Sequence, residues 1–246
     1  MFLKKAAVFL VAGITLAILL VNPAHASLVT IDKEGRVTLN VLSAEESIEL
    51  EIPRREYLEV KDIAEGIPNP QAKISLLRSN GKVSLQVSTS SGDKSLDVTD
   101  YKGEIVEIEE RPAVERIAIS VFGDKFEIVQ RGVIAETSYE INIDPQTARL
   151  TLETPSGLRF LSILPRQAVD VVLRAKYINR IGGQNRLSIE EEGRELAYVV
   201  PGDKIINLFD LFEYKVPVKA VVSASTGEIL SVEQPTWLRV LGFLFV

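Results

Sequence analysis

Val83-Ser84-Leu85-Gln86-Val87, preceded by Asn80-Gly81, decides the fold class. Apolar and polar residues alternate with period two, which puts every second side chain on one face of a strand. Asn80-Gly81 is a type I′ hairpin signal, because both central positions of that turn need positive φ. The same alternation recurs in Val37-Thr-Leu-Asn-Val41, Ile48-Glu-Leu-Glu-Ile52, Ile117-Ala-Ile-Ser-Val121 and Leu150-Thr-Leu152. Asp144-Pro145-Gln146-Thr147 and Thr154-Pro155-Ser156-Gly157 fit turns with proline at the second position. Strands of about 5–8 residues, spaced about 10 apart, imply a sandwich or barrel of antiparallel sheets. One helical turn is expected at residues 61–65, stopped by Gly66-Ile67-Pro68-Asn69-Pro70.

Beyond Pro165 the pattern changes. Ala168, Val171, Val172 and Ala175 fall at i, i+3, i+4 and i+7, one face of a helix over residues 165–177. Pro165 suits the first helical turn, where a missing N–H costs nothing. Two strand candidates follow, residues 186–200 ended by Pro201-Gly202, and residues 214–233 with a turn at Ser225-Thr226-Gly227. Ile205-Ile-Asn-Leu-Phe-Asp-Leu-Phe212 reads as a mostly apolar connector between them. The expected organisation is a leader at 1–26, a β-rich part at 27–164, a smaller α+β part at 165–234 and an apolar tail at 235–246.

The leader reading rests on three features in order. Lys4-Lys5 give a basic start, residues 6–21 an apolar run, and Ala24-His25-Ala26 a small-x-small end. Cleavage after Ala26 leaves Ser27 first. The rival is an uncleaved anchor, for which a 16-residue run is shorter than the roughly 20 a spanning helix needs. Cleavage removes His25 and Met1, the chain's single histidine and methionine, and there is no cysteine. A mature chain without His, Cys or Met lacks imidazole, thiolate and thioether metal ligands and the usual base of Ser and Cys hydrolases. No cofactor and no transition metal is expected. The whole chain carries −6 at 246 residues, with 46% apolar and 25% charged residues. That is enough apolar material for a core, and the acidic balance argues against nucleic acid as partner. Arg54-Arg55 is the one adjacent basic pair after the leader.

Ala197-Tyr198-Val199-Val200, followed by Val221-Val222-Ser223-Ala224-Ser225-Thr226-Gly227-Glu228-Ile229-Leu230, resembles the end of a PepSY-type module. That family pairs a helix with a hairpin, and residues 165–177 stand where the helix falls. Ser223 stands where the family often has Asp, and residues 201–215 are long for a simple hairpin. A plain turn at Thr226-Gly227 between two strands is the alternative. The resemblance implies an extracytoplasmic protein with an interaction role, toward a peptidase or another envelope protein.

Catalytic patterns are weak. Ser91-Gly92-Asp93-Lys94 matches S-x-x-K, yet it sits between strands, and a solvated hairpin tip gives no reason to depress a lysine pKa. Glu45-Glu46, Glu109-Glu110 and Glu190-Glu191-Glu192 read as solvated faces and loops. A carboxylate-based hydrolase of an envelope polymer is the alternative function, and it needs two acids about 5–10 Å apart in a cleft. The main reading is an exported, extracytoplasmic envelope protein that binds rather than catalyses. Its interaction residues are expected in the tail: Trp237, Leu238, Arg239, Leu241, Phe243 and Phe245. Ten residues are too short to span a bilayer as a helix, but Trp237 and Arg239 suit a headgroup interface. A membrane surface, an envelope protein or self-association through the tail are the partners this implies.

Overall fold

In the computed structural model the described residues are 27–40, 72–89, 92–112, 114–208 and 212–241. The leader, the expected strand at 48–52, the helical turn at 61–65, Glu45-Glu46, Arg54-Arg55, Ser91 and the tail beyond Leu241 lie outside them.

Among the described residues the fold is mainly β, in two sheets that share one hydrophobic core. The strands are β1 (Val29–Ile31), β2 (Val37–Leu39), β3 (Lys73–Ser79), β4 (Lys82–Thr89), β5 (Gly92–Asp97), β6 (Glu104–Ile108), β7 (Ile117–Phe122), β8 (Lys125–Gln130) and β9 (Val133–Thr137). They continue as β10 (Glu140–Asp144), β11 (Arg149–Thr154), β12 (Gly157–Leu161), β13 (Arg180–Ile181), β14 (Arg186–Glu192), β15 (Glu195–Leu208), β16 (Phe212–Ser223) and β17 (Ile229–Glu233). The helices are α1 (Pro165–Arg174) and α2 (Thr236–Leu241). The larger sheet runs β17-β16-β15-β14-β9-β8-β7-β6-β1-β2, with β13 also on β15. The smaller runs β12-β11-β10-β3-β4-β5.

Alternation sets which face is buried. Along β4, Val83, Leu85 and Val87 face the core, and Ile74 and Leu76 of β3 meet them. Asn80 and Gly81 have φ of 53° and 77°, as the type I′ turn requires. Both proline turns, at Pro145 and Pro155, form where the sequence places them. Arg111 ties the two sheets together. Its guanidinium donates to the carbonyls of Asp32, Pro145 and Gln146, each at 2.8 Å.

Four expectations change. Two pairs are parallel rather than antiparallel: Val29 of β1 lies opposite Val106 of β6, and Ile134 of β9 opposite Arg186 of β14. The second pair carries the larger sheet across position 165, so strands from both sides of the expected boundary are hydrogen-bonded in one sheet. Residues 186–200 form not one strand but the β14–β15 hairpin, with Gly193 at φ 68° in its turn. The helix buries Pro165, Ala168, Val169 and Val172, which keep the i, i+3, i+4, i+7 spacing but start one turn earlier, so Ala175 is exposed.

The fourth change matters most for function. Pro201-Gly202 does not end β15, which continues to Leu208 and makes the apolar connector the distal part of a long β15–β16 hairpin. Proline is tolerated here because its missing N–H falls at a handover. β14 last pairs with β15 at Val199, β13 takes over at Gly202, and Gly182 N–H donates to the Pro201 carbonyl at 3.0 Å. Gly202 allows the close approach of the next segment. A Cβ there would lie 2.7 Å from Ile178 Cδ1 and 2.8 Å from the Arg180 carbonyl. Gly202→Ala is therefore expected to cost about 1–3 kcal/mol in denaturant unfolding, since a backbone carbonyl cannot step aside.

Candidate functional site

The distal half of the β15–β16 hairpin is built by pairing Lys204 with Val216, Ile205 with Lys215, Ile206 with Tyr214 and Leu208 with Phe212. Residues 176–181 are stitched along its flank. Asn179 N–H donates to the Asp203 carbonyl at 2.8 Å, and Asn179 Oδ1 accepts the Ile205 N–H at 2.8 Å. Lys204 Nζ donates to the Lys176 carbonyl at 2.6 Å, and Arg180 pairs with Asp203 at 3.2 Å.

The C-terminal helix α2 lies against this end. Leu238 is buried in the shared core, while Trp237 remains 41% exposed beside Tyr214, itself 55% exposed. The two ring centroids are 6.3 Å apart, with planes inclined by 54°. A helix of six residues has no stability of its own. Burying Leu238 contributes about 1.5–3 kcal/mol, whereas ordering the backbone costs about 1–2 kcal/mol per residue. Covering Trp237 as well would add to what Leu238 contributes.

The tail residues chosen from the sequence thus divide. Trp237 is presented outward. Leu238 is an inward anchor and not a contact residue, because it packs into the core. Arg239 and Leu241 fall on α2, and Phe243 and Phe245 lie outside the described residues. Tyr214 and Tyr177, also exposed at this end, carry no sequence signal. Tyr177 ends the stretch read as a helix and Tyr214 begins a strand candidate, and the length of the hairpin brings Tyr214 to Trp237.

A second feature lies beside this end. The outer face of β14, β15 and β16 forms a groove of about 710 Å³, lined by Arg186, Val199, Pro201, Pro217, Lys219 and Pro235 among others. At its margin Glu127 of β8 and Glu136 of β9 stand directly opposite one another. Arg186 Nη1 bridges them at 2.5 Å each, and its guanidinium lies 5.4 Å from the centre of the exposed Phe122 ring. Lys125 reaches Glu136 at 3.1 Å. The hydrogen bond from Arg186, ahead of burial acting the other way, holds the Glu136 carboxyl below the usual glutamate range. Both carboxylates are taken up by Arg186, and that of Glu136 by Lys125 as well, in one ion-pair cluster.

The described residues of the S-x-x-K and acidic-run candidates lie at or near the surface, while Ser223 is buried. Gly92, Asp93 and Lys94 begin β5 and are exposed, so Gly92-Asp93 is strand and not the tip of a turn. Glu190 and Glu192 are exposed, while Glu191 accepts the Thr154 hydroxyl at 3.0 Å. Ser223 accepts the Thr226 N–H at 3.1 Å and donates to Glu195, which secures the turn into β17. Among the described residues no helix is long and apolar enough to cross a membrane. Comparison with known protein families, curated proteins and solved structures gives no match.

Proposed function

We propose that this protein is exported and works in the cell envelope by binding, using its C-terminal end as the docking element. The observation that carries this is Trp237. It is held outward beside Tyr214 on a short helix whose Leu238 is pinned in the core. An apolar patch left wet in this way marks an interaction site. The basic, apolar and small-residue order of residues 1–26 supports export. Helix α1 packs on β15 and β16, an arrangement that fits the helix-and-hairpin pairing of a PepSY-type module and supports an interaction role.

Deleting residues 236–246 tests this. The β body is expected to stay folded, with the loss of Leu238 burial lowering stability by about 1.5–3 kcal/mol. Capture of an envelope partner, liposome binding or oligomer size should fall. A deletion that unfolds the whole protein, with a full-length chain that is monomeric and ignores liposomes and envelope extract, would make the tail plain core and sink the proposal.

A further inference from the structure

We infer that the docking partner is an anionic lipid surface, and that the distal β15–β16 hairpin touches it together with α2. This rests on the reading of the C-terminal end as the docking element, and it adds a second element and a partner. Two of the exposed large apolar side chains, Tyr214 and Trp237, meet here, and exposed Tyr177 lies on the segment that flanks the hairpin. Tyr177 follows Lys176, whose carbonyl receives Lys204 Nζ. Lys204 and Ile206 share a strand face, Ile206 lies opposite Tyr214, and Tyr214 meets Trp237. Each of these aromatics has an apolar ring and a polar N–H or O–H, the combination that settles where acyl chains meet headgroups.

The charges choose between lipid and protein. Lys176 and Lys204 border the aromatics, Lys204 on the strand face that Tyr214 shares. Protein–protein interfaces are depleted in lysine and favour arginine. A lipid interface suits lysine, whose stem lies along apolar surface while its ammonium reaches a phosphate. Of the acids on this end, Asp203 is engaged by Arg180. Glu213 and Lys215 are exposed together on the opposite strand face from Tyr214, and Asp210 lies outside the described residues. Among the described residues that border the aromatics lysine outnumbers acid, although the whole chain is acidic. A seat of about 5–10 Å into the headgroup and acyl boundary covers the rings without any spanning helix.

Trp237 is the single tryptophan, so its emission reports on the site directly. The chain from Ser27 to Val246, which contains every described element, is mixed with vesicles of phosphatidylcholine alone or with an equal part of phosphatidylglycerol. A blue shift of the emission and co-sedimentation are expected with the anionic vesicles, weakening as salt is raised. Lys176→Gln should weaken binding roughly fivefold. Tyr214→Ser should weaken it roughly tenfold. Circular dichroism checks that these surface variants stay folded. Unshifted emission and no sedimentation with either vesicle overturns the lipid assignment. If deletion of 236–246 then still abolishes capture of an envelope protein, the binding role stands and only the lipid partner falls. Vesicle binding that is unchanged in the Lys and Tyr214 variants overturns the hairpin's share and leaves the tail alone.

Discussion

Tyr198→Ala is expected to lower the unfolding free energy by about 3–5 kcal/mol, seen as a fall in the urea midpoint at constant slope. Tyr198 is the largest fully buried side chain among the described residues. It sits on the core face of β15, where α1 also packs. Truncation removes the ring and leaves a cavity that the surrounding β-branched residues cannot fill. Its hydroxyl donates to the Ile163 carbonyl at 2.7 Å, and burial pushes the phenol well above its ordinary range, so it remains a donor. Tyr198→Phe separates the two contributions. It keeps the ring, strands the Ile163 carbonyl, and should cost about 1–2 kcal/mol. Equal losses in both variants would show that the hydrogen bond, not the packing, holds this part of the core.

Arg186→Met should cost about 2 kcal/mol at neutral pH, and the loss should shrink as pH falls. Breaking a fully buried ion pair costs about 3–5 kcal/mol and an exposed one under about 1 kcal/mol. The Arg186 side chain is one-third exposed, and those of Glu127 and Glu136 are 11% and 20% exposed, which places this site between. Glu136 has a folded pKa below its unfolded one, so the wild-type pair contributes fully above the ordinary glutamate range. That contribution is lost as pH falls through the folded pKa of Glu136. In the variant, two facing carboxylates lose their shared guanidinium, and protonating either one relieves the repulsion. Urea midpoints measured from neutral to acid pH should converge for the two proteins. A difference that stays constant across that range would show that Arg186 acts by packing its stem and not by charge.

The β3–β4 hairpin, the turns at Pro145 and Pro155 and the existence of α1 were legible because each is a local pattern. Asn80-Gly81 states its own turn type, and Val83, Leu85 and Val87 state their own face. The parallel pairs β1–β6 and β9–β14 were not legible, because alternation marks a strand without naming its neighbour. Pro201-Gly202 misled for a related reason. Its usual meaning is a break, and the handover from β14 to β13 that accommodates it is a fact of tertiary pairing. The helix face slipped by one turn because Ala168 and Val172 satisfy both registers, and only the contact with the sheets chooses between them. In the site, Trp237 stood out as an aromatic in an apolar tail. Tyr214 was hidden until the hairpin's register put it opposite Ile206.

The position of β1 bears on the export reading proposed above. Ser27, Leu28 and Val29 are all buried, so the Ala26–Ser27 bond directly precedes a segment locked inside a sheet. A peptidase needs that stretch extended and accessible. The antiparallel partner β2 offers only a three-residue ribbon, too short to hold β1 by itself. The partner that completes the pairing is β6, and it begins only at Glu104. On the proposed export reading, the bond after Ala26 stays open to cutting until β6 has followed. That places cutting and folding in series, with a clock set by the length of chain between the two strands.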